Sequence, residues 1–219
     1  MIELRSVFLI FGHRGSPRRV RENTVASFEE ALRAGADGFE TDLRLLSDNT
    51  AVLFHDDEVS EQITETLTAS ELVADPLDLL APFAGRCAMI LEVKRRGWEG
   101  VLLDHISKWP DIVVASFDHT LIAELSRRNA GFPLGLTLGG RMVDVAAYAK
   151  RVGATWFFPN WRYVDRELVE SLHSEGIKVV PWTPNRRAEW DALRNAGCDG
   201  VITDLPAEAV QWRAEAATL

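Results

Sequence analysis

The sequence contains only two cysteines, Cys87 and Cys198, and they do not form a CxxC pair. This scarcity argues against both a disulfide framework and a zinc ribbon. We therefore expect a reducing, cytoplasmic setting for the chain.

The sequence also lacks an excess of positive charge. Lysine and arginine number 24 against 33 acidic residues, which gives a formal net charge of -9. Extended binding to nucleic acid requires a basic surface, so we expect no nucleic-acid partner. A small anionic substrate would need local positive charge at its binding site.

No long hydrophobic run is present near the start of the chain. The apolar run Val7 to Phe11 has five residues and follows Glu3 and Arg5, so it is too short for a signal sequence or a membrane span. We interpret it as a buried strand and expect no stable membrane insertion. With 219 residues, 47% of them hydrophobic, the chain suits one substantial core, and we predict a single domain over residues 1–219.

Short β-rich runs alternate with segments of helical periodicity, which is typical of βα units around a parallel sheet. The predicted strands are Val7 to Phe11, Gly38 to Leu45, Ala51 to Phe54, Ala88 to Val93, Ile112 to Ser116, Leu134 to Leu138, Trp156 to Pro159, Lys178 to Trp182 and Gly200 to Thr203. The predicted helices are Thr24 to Ala34, Ala69 to Leu80, Trp98 to Lys108, His119 to Asn129, Met142 to Val152, Asp165 to Glu175, Arg186 to Ala196 and Ala207 to Ala216.

Nine strands are one more than a (β/α)8 TIM barrel requires. The second and third lack a helix between them, and the segment Ser47 to Thr50 has the composition of a turn. We therefore predict an α/β fold with eight parallel barrel strands and an extra antiparallel return strand after the second one. A turn centred on Asp48 and Asn49 would place His55 opposite Asp42.

Several charged and polar residues follow the predicted strands directly. In barrel enzymes the active site lies at the C-terminal ends of the strands, so these residues are expected to converge. They are His13 and Arg14, Glu92 and Lys94, Ser116 and Phe117, Trp182 and Thr183, and Thr203 and Asp204.

Glu40, Asp42 and Glu92 supply three carboxylates from two strands, and alternation along a strand lets Glu40 and Asp42 face the same way. Such a set could hold one divalent cation. Ligation by oxygen alone favours Mg²⁺ or Ca²⁺ over zinc, with Mn²⁺ as an alternative. Solvent-facing acids are the alternative for Glu40 and Asp42 taken alone.

His13 and His55 each end a β segment beside this acidic cluster and are candidates for acid and base catalysis. The other histidines, His105, His119 and His173, fall in predicted helices, where packing or surface roles suffice. Other candidates carry open alternatives. Arg14 and Lys94 are either anion contacts or internal salt bridges to Glu40 or Glu92, and Phe117 and Trp182 are either pocket walls or core. We favour Asn23 or Thr24 as the N-cap of the first helix over a role in the site.

Taken together, the motifs resemble the glycerophosphodiester phosphodiesterase family over almost the whole chain. They occur in the family's order: GHRGS, ENT, AxxAGADGFETDL, FHD, LEVK, SFD, VVPWTPN and AGCDGVITDLP. The resemblance implies hydrolysis of a glycerophosphodiester to glycerol 3-phosphate and an alcohol. It further implies that His13 and His55 are the acid/base pair, that Glu40, Asp42 and Glu92 are metal ligands, and that Arg14 and Lys94 contact the phosphate.

Three departures from the family pattern stand out: Arg21 replaces a proline before ENT, Asn49 replaces a turn glycine, and the segment from His55 to Glu92 is short. The family commonly carries a substrate-covering insertion there. We therefore expect a short or absent insertion between residues 56 and 87 and a more open site. Three alternatives remain: lysophospholipase D-like hydrolysis, a Schiff-base aldolase using Lys94, and a catalytically silent binding barrel. The sequence does not indicate the oligomeric state.

Overall fold

Eight parallel strands form a closed barrel in the computed structural model, which describes residues 8–216. Numbered in chain order, the strands are β1 Leu9–Gly12, β2 Gly38–Leu45, β3 Ala51–Leu53, β4 Glu58–Val59, β5 Gln62–Ile63, β6 Asp75–Pro76, β7 Ala88–Val93, β8 Ile112–Ser116, β9 Leu134–Leu138, β10 Trp156–Pro159, β11 Lys178–Val179 and β12 Gly200–Thr203. The barrel order is β1, β2, β7, β8, β9, β10, β11 and β12. This confirms the predicted TIM barrel, whereas Val7 of the first predicted strand lies outside the described residues.

The barrel closes between β11 and β12. β11 is shorter than the predicted strand Lys178 to Trp182, because Pro181 has no N–H to donate to a neighbouring strand. Pairing resumes at Trp182, which forms a parallel bridge with Ile202 of β12. The amide of Ile202 donates to the carbonyl of Pro181 at 2.9 Å, so the ring of hydrogen bonds is complete.

Seven α-helices surround the barrel within residues 8–216. They are α1 Val25–Arg33, α2 Glu99–Ile106, α3 His119–Arg127, α4 Val145–Val152, α5 Arg166–Ser174, α6 Arg187–Ala196 and α7 Pro206–Ala216. Each lies where a helix was predicted. The barrel interior is filled by a smaller cluster that includes Phe11, Ile90 and Phe158, and the larger apolar core lies between the strands and the helices.

The predicted helix Ala69 to Leu80 is wrong. Pro76 falls inside it and lacks the N–H that a helix interior requires, so Asp75–Pro76 forms the short edge strand β6 beside β3 instead. The outer layer is completed at this position by a 3-10 helix, Leu77–Phe83, which contains Pro82. Its buried residues Leu77, Leu80 and Phe83 cover the barrel as a helix would.

The antiparallel return strand is confirmed, because β3 pairs with β2 through Leu43 and Leu53 and through Leu45 and Ala51. The predicted register is wrong by one residue. The residue opposite Asp42 is Phe54, whose amide donates to the Asp42 carbonyl at 3.0 Å, rather than His55. The cause is a five-residue loop, 46–50, in which Asn49 adopts a left-handed conformation with φ of 64°. No helix within residues 8–216 has the length and apolar character needed to cross a membrane.

Candidate active site

One pocket at the C-terminal end of the barrel, with a volume of about 130 Å³, is lined by nine of the residues that the sequence nominated, whereas Ser116, Thr183, Thr203 and Asp204 do not line it. The nine are His13, Arg14, Glu40, Asp42, His55, Glu92, Lys94, Phe117 and Trp182. The remaining lining residues come from the barrel interior: Ile90, Ala115, Thr137, Phe158 and Ile202. The pocket therefore combines charged groups, two aromatic side chains and a mostly apolar interior.

The turn after β1 directs two of these residues into the pocket. A Cβ at Gly12 would lie 2.1 Å from the carbonyl oxygen of Gly15, so the chain can turn this sharply only with glycine at position 12. Arg14 adopts φ of 52°, and its amide donates to the carboxylate of Glu40 at 3.0 Å. The glycines of the GHRG motif thus place His13 and Arg14 against the acidic residues of β2.

The three carboxylates form one compact group. Glu40 and Asp42 alternate along β2, and Asp42 is the register partner of Glu92 on β7. Each of the three offers an oxygen, and these oxygens lie within 4.8 Å of one another. All three residues are at least nine-tenths buried. The register between two parallel strands therefore creates the group that the sequence predicted.

Burial raises the free-energy cost of ionising these three carboxyls. It raises the pKa of Glu40 to about 8, and the nearby charge of Asp42 adds to the effect. Burial likewise raises the pKa of Glu92. At Asp42 burial opposes ionisation, but the charges of Lys94 and Arg14 prevail and lower its pKa to about 2. Two of the three carboxyls therefore lack enough positive charge around them to ionise readily.

Lys94 and Arg14 lie against the acidic group. The Lys94 ammonium contacts Asp42 at 2.7 Å and also pairs with Glu92. Arg14 lies 3.2 Å from Asp42 and donates to Glu22 at 2.9 Å. The internal ion pair considered for Lys94 is thus present with Glu92, whereas the side chain of Arg14 pairs with Asp42 and Glu22 rather than with Glu40 or Glu92.

The two histidines have different surroundings. His13 is 21% exposed and hydrogen-bonds Asp204 through Nδ1 at 2.7 Å. Burial opposes its protonation, but that hydrogen bond and the charge of Glu40 raise its pKa. His55 is 37% exposed, and its Nδ1 lies 2.9 Å from Asp56. Its carbonyl accepts from the buried guanidinium of Arg44 at 2.6 Å, which attaches the His55 loop to β2.

Of the two N-cap candidates for the first helix, Thr24 is confirmed, whereas Asn23 has a place in the site, and the position of Thr137 was missed from the sequence. Thr24 is the N-cap of α1, since its hydroxyl accepts from the Ser27 amide. Asn23 is buried and donates to Asp42 at 2.8 Å. The Thr137 hydroxyl is buried on the pocket wall, and within residues 8–216 no group hydrogen-bonds it. Motif order alone does not reveal these contacts.

Two aromatic rings form one wall of the pocket. Phe117 and Trp182 pack edge to face with centroids 5.7 Å apart. Trp182 is held by its indole N–H, which donates to the carbonyl of Phe158 at 2.9 Å, whereas Phe117 is 50% exposed. His119 hydrogen-bonds the carbonyl of Thr137 and the hydroxyl of Tyr148. It does not line the pocket.

The sequence and the fold both match known proteins. The sequence model of the Glycerophosphoryl diester phosphodiesterase family matches residues 13–82 and 83–208. A protein named glycerophosphodiester phosphodiesterase from Caldanaerobacter subterraneus is 27% identical over 90% of this chain and 94% of its own length. One of the same name from Bacillus altitudinis is 25% identical over 94% of this chain and 98% of its own length.

Solved structures share the barrel. A glycerophosphodiester phosphodiesterase from Thermotoga maritima superposes with a TM-score of 0.80 at 23% identity, covering 93% of this chain and 97% of that one. A phosphodiesterase from Oleispira antarctica, solved with the product sn-glycerol-3-phosphate, superposes with a TM-score of 0.81 at 20% identity, covering 94% of this chain and 96% of that one. At these identities the likeness establishes the fold.

Proposed function

The chain belongs to the glycerophosphoryl diester phosphodiesterase family, and on this basis we propose that it hydrolyses glycerophosphodiesters to glycerol 3-phosphate and an alcohol. The observation that carries the proposal is a pocket lined by both three buried carboxylates and two histidines. The Oleispira antarctica relative binds sn-glycerol-3-phosphate, which supports a small-molecule substrate of this class.

A divalent cation fits the acidic group. Glu40 and Glu92 have raised pKa values because burial and the charge of Asp42 disfavour their charged forms, and a cation would relieve both effects. Glu40, Asp42 and Glu92 would hold the ion, and their all-oxygen donor set suits Mg²⁺, Ca²⁺ or Mn²⁺. When bound, such an ion neutralises charge on phosphate oxygens.

Arg14 and Lys94 would bind the phosphate. Lys94 has three N–H donors and directs two of them to Asp42 and Glu92, which leaves one for a phosphate oxygen. Arg14 donates to Glu22 through one Nη atom, and its other Nη group would donate to a phosphate oxygen. Both cations are anchored by carboxylates, so they lose little conformational freedom when substrate binds.

His13 and His55 would exchange the protons of the reaction. One accepts the proton of the attacking oxygen, either the glycerol hydroxyl next to the phosphate or water, and the other donates a proton to the leaving alkoxide. Each lies at the pocket rim beside a carboxylate that hydrogen-bonds its Nδ1. That arrangement leaves Nε2 of each ring as the atom for proton transfer.

We also propose that residues 1–219 act as a single domain with little or no insertion between residues 56 and 87. Within that segment the chain forms only the small β4–β5 hairpin, β6 and two 3-10 helices. An uncovered pocket would accept glycerophosphodiesters with different headgroups.

Release of glycerol 3-phosphate from a headgroup panel tests the proposal. We expect activity that EDTA abolishes and that Mg²⁺, Ca²⁺ or Mn²⁺ restores. His13→Ala, His55→Ala and Glu40→Gln should each lose about 10³-fold or more in kcat. His105→Ala, which changes a histidine on α2, should keep full activity. Failure of all three cations to support turnover, or an active His13→Ala enzyme, would refute the proposal.

A second candidate is lysophospholipase D-like hydrolysis, which is favoured by the half-exposed ring of Phe117 at the pocket rim. An acyl chain could pack against this ring. Comparing kcat/KM for a lysophospholipid and for its deacylated counterpart, in the wild type and in Phe117→Ser, separates the two substrates. A Schiff-base aldolase is disfavoured, because Asp42 and Glu92 raise the pKa of Lys94 against the effect of burial and so keep its amine protonated.

A further inference from the structure

His13 and Asp204 occupy equivalent positions on adjacent barrel strands. Gly12 of β1 pairs with Thr203 of β12, and the amide of His13 donates to the carbonyl of Thr203 at 2.9 Å. His13 and Asp204, which directly follow the paired residues Gly12 and Thr203, therefore lie side by side, and their side chains meet. His13 Nδ1 lies 2.7 Å from Oδ1 of Asp204, and the Asp204 side chain is only 17% exposed.

Asp204 is itself held by Asn185, which follows β11. The Asn185 amide nitrogen donates to Oδ2 of Asp204 at 2.8 Å. Its Oδ1 accepts from the backbone amide of Asp204 and from the hydroxyl of Thr203, both at 2.9 Å. These three bonds determine which oxygen of the carboxylate faces His13. Asn185 is thus fully engaged in orienting Asp204.

The Asp204 carboxylate is an acceptor only. Burial opposes its ionisation, but hydrogen bonds from His13 and Asn185 outweigh burial and lower its pKa. An ionised carboxylate has no proton to donate, so the proton between Asp204 and His13 must lie on Nδ1 of the histidine. The opposite nitrogen, Nε2, lies 4.0 Å from the Glu40 carboxylate.

We propose that Asp204 and Asn185 are positioning residues that hold His13 in its Nδ1–H tautomer, with Nε2 directed into the pocket for proton transfer. The inference rests on the proposed function, in which His13 is an acid/base group. A histidine free to exchange tautomers would spend part of its time with a proton on Nε2 while neutral, and it could not then accept one there. Asp204 and Asn185 thereby disfavour the unproductive Nε2–H tautomer of His13 before substrate binds.

Of the other histidine and aspartate pairs in the described residues, His173 and Asp199 bond through Nε2 and lie outside the pocket, and the remaining two have exposed aspartates. Nδ1 of His105 lies 2.9 Å from Asp78, but the Asp78 side chain is 75% exposed. His55 and Asp56 are sequence neighbours, and Asp56 is 67% exposed. The His105–Asp78 pair is therefore a matched control with the same two residue types, a similar distance and no place in the pocket.

The test replaces the carboxylate by an amide. In Asp204→Asn the oxygen of the new amide would remain on the Asn185 donor, and its NH₂ group would face Nδ1 of His13, which favours the Nε2–H tautomer. We expect kcat to fall about 10²-fold to 10⁴-fold while KM changes less than about threefold. Asp78→Asn should leave kcat unchanged.

Nitrogen-15 NMR of the imidazole rings supplies a readout that a purely structural role would not change. The His13 signals are assigned by their loss in His13→Ala. At alkaline pH the wild type and Asp78→Asn should show the Nδ1–H tautomer at His13, and Asp204→Asn should show the Nε2–H tautomer. If Asp204→Asn does not fold, Asn185→Ala should still lower kcat about tenfold, and the wild-type spectrum remains decisive.

The outcomes separate the two proposals. If His13→Ala is inactive while Asp204→Asn keeps full kcat, the positioning role is wrong and the proposed function stands. An Nε2–H tautomer at His13 in the wild type would likewise overturn the positioning role. If His13→Ala is fully active, the proposed function itself is wrong.

Discussion

The side-chain amide of Asn23 donates to the carboxylate of Asp42 at 2.8 Å, although the two residues belong to different βα units. Asn23 also accepts from the Thr41 hydroxyl at 2.8 Å and has a left-handed backbone with φ of 52°. One residue thus orients a carboxylate of the site and closes the turn before α1.

Substitutions at Asn23 can separate these two roles. Asn23→Gly keeps a residue that tolerates positive φ and removes the side chain, so we expect weaker cation binding, lower kcat and a loss of about 1–3 kcal/mol of unfolding free energy, because the buried Asp42 carboxylate and Thr41 hydroxyl lose a partner. Asn23→Ala should lose the same activity and a further ~1 kcal/mol of unfolding free energy, because alanine is strained at this φ. Calorimetric titration with Mg²⁺ and urea unfolding measure both effects. Equal stability of the two variants would contradict the backbone role.

Lys94→Met removes a cation from the acidic group. In EDTA we expect the free energy of unfolding to fall by about 3 kcal/mol, because buried carboxylates lose a partner. Saturating Mg²⁺ should reduce that loss, since the ion binds only the folded state. Lys150→Met, which breaks an exposed pair with Glu175, is the control and should cost less than about 1 kcal/mol. The prediction fails if Lys94→Met loses the same stability with and without Mg²⁺.

Arg44→Met tests whether Arg44 positions the His55 loop. The buried Arg44 guanidinium donates to the His55 carbonyl and to Asp57 at 2.7 Å, and it pairs with Glu65. Its loss should loosen the loop and lower kcat about tenfold to 10²-fold. Arg95→Met is the control, because Arg95 is 54% exposed and approaches Asp57 and Glu65 from outside. A similar kcat in both variants would show that Arg44 does not position His55.

Thr137→Val replaces a buried hydroxyl that lacks a partner among the described residues. Valine has nearly the same shape and avoids the desolvation cost, so the free energy of unfolding should rise by about 1 kcal/mol. Urea unfolding measures the change, with Thr203→Val as the contrasting variant. The hydroxyl of Thr203 donates to Asn185 at 2.9 Å, and its removal should destabilise the protein. A loss of stability in Thr137→Val would indicate that its hydroxyl is satisfied in solution.

The two cysteines make the free energy of unfolding depend on pH in the alkaline range. Burial raises the pKa of the Cys198 thiol to about 12 and that of Cys87 to about 11. An unfolded thiol ionises near pH ~8.5. Above that pH the unfolded chain loses a proton that the folded chain keeps, so the free energy of unfolding falls as the pH rises toward the folded pKa. Urea unfolding between about pH 8 and about pH 10 should show a smaller decline in Cys198→Ala than in the wild type. An identical decline in both would contradict the prediction.

Much of the barrel follows from local patterns in the sequence. Runs such as Gly38–Leu45 and Ala88–Val93 are observed with their predicted bounds, because both are buried along nearly their whole length and most of their residues outside the site are apolar. The convergence of Glu92 and Lys94 with His13 also follows, since parallel strands all end at one rim. The failed helix at Ala69 to Leu80 shows the limit, because helical periodicity was given more weight than Pro76.

Contacts between distant residues depend on the tertiary structure. The sequence alone determined the barrel, the rim at which the site lies and the residue types available there, because these depend on hydrophobic periodicity and strand direction. Only the tertiary structure decided that Phe54 rather than His55 faces Asp42, since the register depends on the left-handed turn at Asn49. It also decided that Asp204 holds His13 across 191 positions of the chain, because that contact requires β1 and β12 to be neighbours when the barrel closes.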